Sequence, residues 1–228
     1  MPPKTMSESD NSPPGSPALG KKQHWEQVYS NRKPTDVSWY QLHPEYSLAL
    51  IEACAAGTAA RILDVGGGAS TFVDHLLAAG YRHVNVLDIA GTAIQQAKAR
   101  LGARASEITW LEQDVTRYPF AQDFDIWHDR AVFHFLTSPE ERARYIANLK
   151  QALKPGGYAI IATFAEDGPT ECSGLDVMRY SPQSLSDIMG GLLRLVETRE
   201  EEHHTPNGGV QRFIYCRFKL VKTTGQGD

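Results

Sequence analysis

The sequence predicts an α/β fold: one doubly wound sheet of seven strands, mostly parallel, with an antiparallel hairpin at its carboxyl end. Three observations carry that expectation. The run Leu63-Asp64-Val65-Gly66-Gly67-Gly68-Ala69-Ser70-Thr71 joins an apolar strand to a helical pattern through three consecutive glycines. From Arg61 to Phe164 strand and helix patterns alternate, which is how parallel strands are connected. After Phe164 the alternation stops, and two long strand-like runs flank Pro206-Asn207-Gly208-Gly209, where Asn-Gly signals a hairpin.

Length and composition set the outer limits. A chain of 228 residues suits one domain with a substantial core. The net charge of −4 gives no reason to expect a nucleic-acid surface. No apolar run approaches the roughly 20 residues that cross a bilayer, and the first residues lack the pattern of a secretory signal. Cys54, Cys172 and Cys216 form no Cys-x-x-Cys pair, so neither a disulfide framework nor a zinc or other metal site is expected. Each reads as a buried thiol, and a reducing cytoplasm is the expected compartment. The oligomeric state stays open, with a monomer compatible with the composition.

Residues 1–22 hold five prolines with serine, glycine and mixed charge, and read as a disordered tail. The domain is expected over residues 23–221, with a flexible end at 222–228. Trp25 and Tyr29, four apart, share a helical face. Ser38-Trp39-Tyr40-Gln41 reads either as a hydrophobic clasp or as a lid over a ligand, and Pro44 to Ala56 as a helix ended by Gly57. Arg61–Val65, Val84–Leu87, Ile108–Leu111, Phe124–Trp127 and Tyr158–Phe164 are the five expected parallel strands. Helices are expected at Ser70–Ala79, Thr92–Leu101 and within Pro139–Pro155. Ala165–Tyr180 reads as a loop, Ser181–Met189 as a capped short helix, and Leu192–His203 with Val210–Leu220 as the hairpin.

The glycine turn is the chemical centre of this pattern. Glycine has no Cβ and tolerates positive φ, so backbone can approach a ligand closely, beside the amides that open the next helix. Asp88 ends the second strand twenty residues past Gly68, where such folds place an acid on ribose hydroxyls. A dinucleotide is disfavoured, because Thr71 stands where the third glycine of G-x-G-x-x-G belongs.

The run D-x-G-x-G at Asp64, Gly66 and Gly68, with the later Asp88, resembles the class I S-adenosylmethionine-dependent methyltransferases, a Rossmann-like family. So does L-K-P-G-G-Y at 153–158. W-x-x-x-Y…S-W-Y-Q…P-x-x-S-L, C-S-G-L…R-Y-S, H-x-T-P and Q-x-F-x-Y-C-R-F resemble its lysine methyltransferase-like subgroup. The resemblance implies S-adenosylmethionine as cofactor and S-adenosylhomocysteine as product. It implies that Asp64, Gly66, Gly67 and Gly68 face the methionine half, that Asp88 with Ile89 holds the ribose, and that Asp114 and Val115 flank the adenine. It also places Trp39, Tyr40 and Gln41 over the active site.

Ligands of open α/β sheets sit outside the carboxyl ends of the strands, so Asp129, Arg130 and His134, just past the fourth strand, are the catalytic or substrate-side candidates. Asp129 is also a cofactor candidate. His134 is either a base near neutral pH or a packed histidine, and Arg130 either binds an acidic group or pairs with Asp129. Glu166 and Arg179, with Cys172, Ser173 and Tyr180, are expected along the substrate opening, and His203 and His204 near it. Three functions stay in play. They are methyl transfer to an N, O or S nucleophile of a small molecule or protein side chain (a protein lysine among them), nicotinamide-dependent oxidoreduction, and non-catalytic binding of the cofactor or a protein partner. The absence of a Tyr-x-x-x-Lys pair after the fifth strand counts against the second.

Overall fold

The computed structural model describes residues 20–121 and 123–221. Two helices lead: α1 (Lys21–Asn31) and α2 (Glu45–Ala53). The alternating part follows as β1 (Arg61–Val65), α3 (Phe72–Ala78), β2 (His83–Asp88), α4 (Gly91–Leu101), β3 (Thr109–Glu112), β4 (Phe124–Arg130), α5 (Pro139–Ala152) and β5 (Leu153–Phe164). The chain closes with β6 (Glu171–Cys172), β7 (Leu175–Asp176), α6 (Pro182–Met189), β8 (Leu193–His204) and β9 (Val210–Leu220).

Seven strands form one sheet in the order β3-β2-β1-β4-β5-β9-β8, the first five parallel and β9 antiparallel to both β5 and β8. The order reverses between β1 and β4, whose ends are in register at Val65 and Asp129. That switch point opens a crevice above Gly66 and Arg130. Side chains alternate to the two faces, as the strand period requires. Along β5, Ala159 and Ile161 join the core with Trp127, Tyr145 and Leu149, while Ile160 and Ala162 join the opposite core with Leu50, Ile62 and Phe72. Continuous apolar strands are what a sheet covered on both faces demands.

Three expectations change. The segment read as a tail to residue 22 already contains the start of α1, because Lys21 and Lys22 are held by Glu141 and Glu112. The rest of that predicted tail and the flexible end lie outside the described residues. The fifth strand, expected from Tyr158, starts earlier, taking Lys154-Pro155-Gly156-Gly157 into β5 as an irregularity, with Gly156 at φ +84° and the register against β4 shifting between Phe124 and Ile126. The loop Ala165–Tyr180 contains the two-stranded ribbon β6-β7, turning through Ser173 and Gly174 at φ +52° and +73°. Among the described residues no helix is long and apolar enough to cross a membrane.

Candidate cofactor and acceptor site

Each glycine of the turn is required for a different contact. Gly66 has φ +69°, donates its N–H to Leu87 O at 2.7 Å, and has Val132 pressed where a Cβ would stand. A Cβ on Gly67 would strike the Asp64 carboxylate, and one on Gly68 would strike that of Asp88. The missing side chains let two carboxylates approach one turn. Thr71, in place of a further glycine, donates its hydroxyl to Gln41 O at 2.7 Å and so ties the start of α3 to the segment before α2.

Asp64 is 2% exposed. Its Oδ1 lies 2.7 Å from His128 Nδ1, and His128 Nε2 lies 2.9 Å from the Ser47 hydroxyl, with the Phe72 ring over the imidazole at 4.2 Å. Asp64 Oδ2 is buried and accepts no hydrogen bond, which marks it as an acceptor awaiting a donor. Asp88 Oδ1 accepts from Ala90 N–H at 2.8 Å, and burial pushes its carboxyl up to about 7 against the pull of the Ala90 and Gly68 amides. Asp114 Oδ1 accepts from the N–H and the hydroxyl of Thr116, both at 2.8 Å, which aims the carboxylate beside buried Val115.

Two cavities meet at the switch point. The larger is lined by Asp88, Ile89, Asp114 and Val115 at one end and by Trp39, Arg130, Phe164, Cys172 and Phe213 at the other. The smaller is lined by Tyr40, Gln41, Ser47, Asp64, Gly66, Gly67 and His128, and it shares Trp39, Gly66 and Arg130 with the first. Helix α1 roofs the larger cavity with Trp25 and Tyr29. Trp25 packs edge-on against Trp39 and Phe135 at ring distances of 5.7 and 5.0 Å. Glu26 anchors α1 to the start of α4, accepting from Gly91 N–H at 2.7 Å, Thr92 N–H at 3.1 Å and the Thr92 hydroxyl. The Trp25/Tyr29 spacing signalled the helix. Its place over the cavity depends on Lys21–Glu141 and Glu26–α4 contacts 120 and 65 residues apart in sequence, which no local pattern reveals.

Arg130 bridges both cavities. Its Nε donates to the Tyr215 hydroxyl at 2.8 Å and its Nη1 to Trp39 O at 3.0 Å, with the guanidinium 4.5 Å from the Phe213 ring centre. It does not pair with Asp129, which points the other way.

Several candidates stand elsewhere. Asp129 is fully buried and lines neither cavity. It accepts from Val132 N–H at 2.8 Å, Phe133 N–H at 3.1 Å and the Tyr145 hydroxyl at 2.6 Å, so it holds the turn after β4 rather than a ligand. His134, also fully buried, packs between Phe135 and Phe164 and accepts from Phe164 N–H. Burial, reinforced by the Arg130 charge, pushes its pKa down to about 3, so it stays neutral and away from both cavities. Glu166 and Arg179 are exposed and line neither cavity, Arg179 donating to Gly168 O. Tyr180 is buried in the core, while Cys172 reaches the larger cavity. Gly68 lies behind the turn against Asp88 rather than on a cavity wall. His203 bonds to Ser38 O at 2.7 Å and, with His204, borders a shallower depression outside Tyr40. Among the described residues no cluster of three or more His, Cys, Asp or Glu is disposed to hold a metal ion.

Comparison with known proteins fits this geometry. Residues 62–157 match the family model described as a methyltransferase domain. The mouse eEF1A lysine and N-terminal methyltransferase is 25% identical over 161 residues, covering 68% of this chain and 23% of that protein. The ubiquinone/menaquinone biosynthesis C-methyltransferase of Roseobacter denitrificans is 27% identical over 135 residues, covering 58% of this chain and 53% of that protein. This chain thus spans between about a quarter and about half the length of these two relatives. Among solved structures, the N-methyltransferase NodS of Bradyrhizobium japonicum in complex with S-adenosyl-L-homocysteine superposes with a TM-score of 0.67 at 20% identity, covering 88% of this chain and 98% of that one. At that identity the likeness speaks for the fold.

Proposed function

We propose that the chain, whose residues 62–157 match the methyltransferase domain model, is a class I methyltransferase that transfers a methyl group from S-adenosylmethionine to a nucleophile of a small molecule or protein side chain. The observation that carries this reading is the turn itself. Three glycines admit the buried carboxylates of Asp64 and Asp88 to one crevice, and Asp64 Oδ2 is left without a donor. A zwitterionic nucleoside supplies what is missing: an ammonium for Asp64, ribose hydroxyls for Asp88, and an exocyclic amine for Asp114 beside Val115. The residues present therefore fit the cofactor.

When bound, the cofactor supplies an activated methyl on a sulfonium. The chain contributes position and surroundings. Holding two reactants in line is worth about 7–11 kcal/mol, which removes any need for a fixed triad. His128 and Ser47 fix one oxygen of Asp64 so that the other faces the crevice. Trp39 and Phe213 wall the region where strands β4 and β5 end and β9 begins, and α1 shields it from water. Neither Asp129 nor His134 takes part as a base in this scheme, since both are sealed off by packing.

Calorimetric titration of the full chain with S-adenosylhomocysteine, with NAD as control, tests the reading. Micromolar binding of the nucleoside thioether alone is expected. Binding of NAD alone, or of neither, overturns it.

The similarity to the mouse protein, which is named for a lysine and N-terminal activity, favours a protein amine as a second acceptor reading. The surroundings of Arg130 weigh against it.

A further inference from the structure

Arg130 organises the acceptor end of the larger cavity. The Arg130 side chain is 10% exposed and lines both cavities. Its Nη2 is buried and donates no hydrogen bond, although an N–H in that position carries the full cost of desolvation. The nearest carboxylate oxygen, Glu201 Oε2, is 3.6 Å away, beyond hydrogen-bond reach. Both oxygens of Glu201 are committed elsewhere: Oε1 accepts from Gln41 Nε2 at 2.6 Å and Oε2 from the Tyr215 hydroxyl at 2.7 Å. Tyr215 and Glu201 thus hold the guanidinium, Glu201 as its ion-pair partner at 3.6 Å, and neither gives Nη2 a hydrogen bond.

The groups that face Arg130 are themselves buried. From the elements around it come Tyr215 on β9, Glu201 and His203 on β8, His134 after β4 and Cys172 on β6. Burial pushes the Cys172 thiol up to about 11, and the hydroxyl of Tyr215 higher still. Both histidines are pushed down, chiefly by burial and also by the Arg130 charge. The Phe213 face, a surface that an ammonium would seek, is already covered by the guanidinium at 4.5 Å. An incoming lysine would have to shed its proton beside a fixed positive charge, and the carboxylate beside that charge, Glu201, is already committed to Gln41 and Tyr215. An anion that reaches Nη2 meets a charge-assisted donor without a hydrogen-bond partner instead.

We propose that the methyl acceptor is a compact molecule that binds as an anion against Arg130 Nη2, its nucleophilic atom (a thiolate, an acidic phenolate or a carboxylate) deprotonated before it arrives. This rests on the cofactor reading above. In the transfer, the acceptor's lone pair forms the new bond to the methyl carbon as the carbon–sulfur bond breaks. The electron pair of that bond stays on sulfur, which becomes a neutral thioether. The anion and the sulfonium thereby neutralise each other, and no proton has to be moved by the protein.

The test begins with the full chain loaded with S-adenosylhomocysteine, whose own binding isotherm reports separately on the cofactor reading. Titration with thiocyanate, an anion that stands in for a thiolate, is expected to show saturable binding, and titration with methylammonium none. Arg130→Gln is expected to weaken thiocyanate binding at least about tenfold, the loss of one charge-assisted bond, while Arg130→Lys retains part of it. In turnover with S-adenosylmethionine, 4-nitrothiophenol, 4-nitrophenol and 4-nitrobenzoate separate the three anion classes, with 4-nitrobenzylamine and a lysine peptide as amine controls. At least one anion is expected to be methylated, at a rate that levels above that acceptor's own pKa. A loaded wild-type protein that binds thiocyanate no better than methylammonium overturns the proposal, and that comparison needs no variant. So does methylation of the amines alone, or an Arg130→Gln protein that still melts cooperatively and binds thiocyanate as the wild type does.

Discussion

Replacing Asp88 with Asn probes the acid proposed to hold the ribose with little change of shape. The Asp88 side chain is 5% exposed, and its Oδ1 accepts from Ala90 N–H at 2.8 Å, a bond that an amide oxygen preserves. On the proposed reading, the second oxygen becomes an NH2 that would meet the ribose hydroxyls as a donor instead of an acceptor. Losing one hydrogen bond to a charged group costs about 1.5–3 kcal/mol, so S-adenosylhomocysteine should bind roughly 10- to 150-fold more weakly at pH 8. Burial pushes the Asp88 carboxyl up to about 7, so in the wild type its acceptor form fills as pH rises through that value. Affinity should therefore fall by about tenfold per pH unit below 7 in the wild type, and stay flat in Asp88→Asn. Stability runs the other way. A carboxyl with a raised native pKa contributes most where it is protonated, below about pH 4, and that contribution is lost as pH rises through 7. The neutral amide escapes this loss but sets its NH2 against the Gly68 amide, so the melting temperature of Asp88→Asn relative to wild type should improve from pH 6 to pH 8. Calorimetric titrations from pH 6 to 8, with thermal melts on the same samples, measure both effects. Unchanged affinity in the variant at pH 8, or a wild-type affinity that ignores pH over this range, would refute the placement of the ribose on Asp88.

Three further outcomes are expected. Burial also pushes Asp129 up to about 7, so the stability it contributes is full below about pH 4 and lost as pH rises through 7. The melting temperature of Asp129→Asn relative to wild type should therefore improve from pH 5 to pH 8, and a constant difference would remove Asp129 from that account. His134→Phe should keep the methyl-transfer rate nearly intact. A general base contributes about 10²–10⁴-fold, so a loss of that size with an unchanged melting temperature would reinstate His134 as a base. Glu26→Ala removes the side chain that α1 lends to the first turn of α4. It should cost about 0.5–2 kcal/mol and speed amide hydrogen exchange in residues 21–31, whereas unchanged protection there would show that α1 is held by other contacts.

The strand–turn–helix at residues 61–78, the acid after the second strand and the alternation that follows are legible because each is a local pattern. Hydrophobic period, glycine where backbone must come close, and a carboxylate at a strand end all act within a few residues, so the sequence alone determined the sheet, its hairpin and the Asp64, Asp88 and Asp114 positions. Local pattern also explains why Val65, Gly66 and Asp88 reach one crevice, since parallel strands in register align their ends. What only the tertiary structure decided is which reactive side chains remain reactive. Asp129, Arg130 and His134 sit within six residues and looked equivalent as candidates. Folding aims Asp129 down at Tyr145, seals His134 between Phe135 and Phe164, and leaves only Arg130 facing the cavity. Its fixation by Tyr215 and Trp39, 85 and 91 positions away, comes from β9 lying beside β5 and from the amino-terminal segment folding back over the strand ends. Burial and long-range pairing set the charge state and direction of a side chain, and neither is a property of its neighbours in sequence.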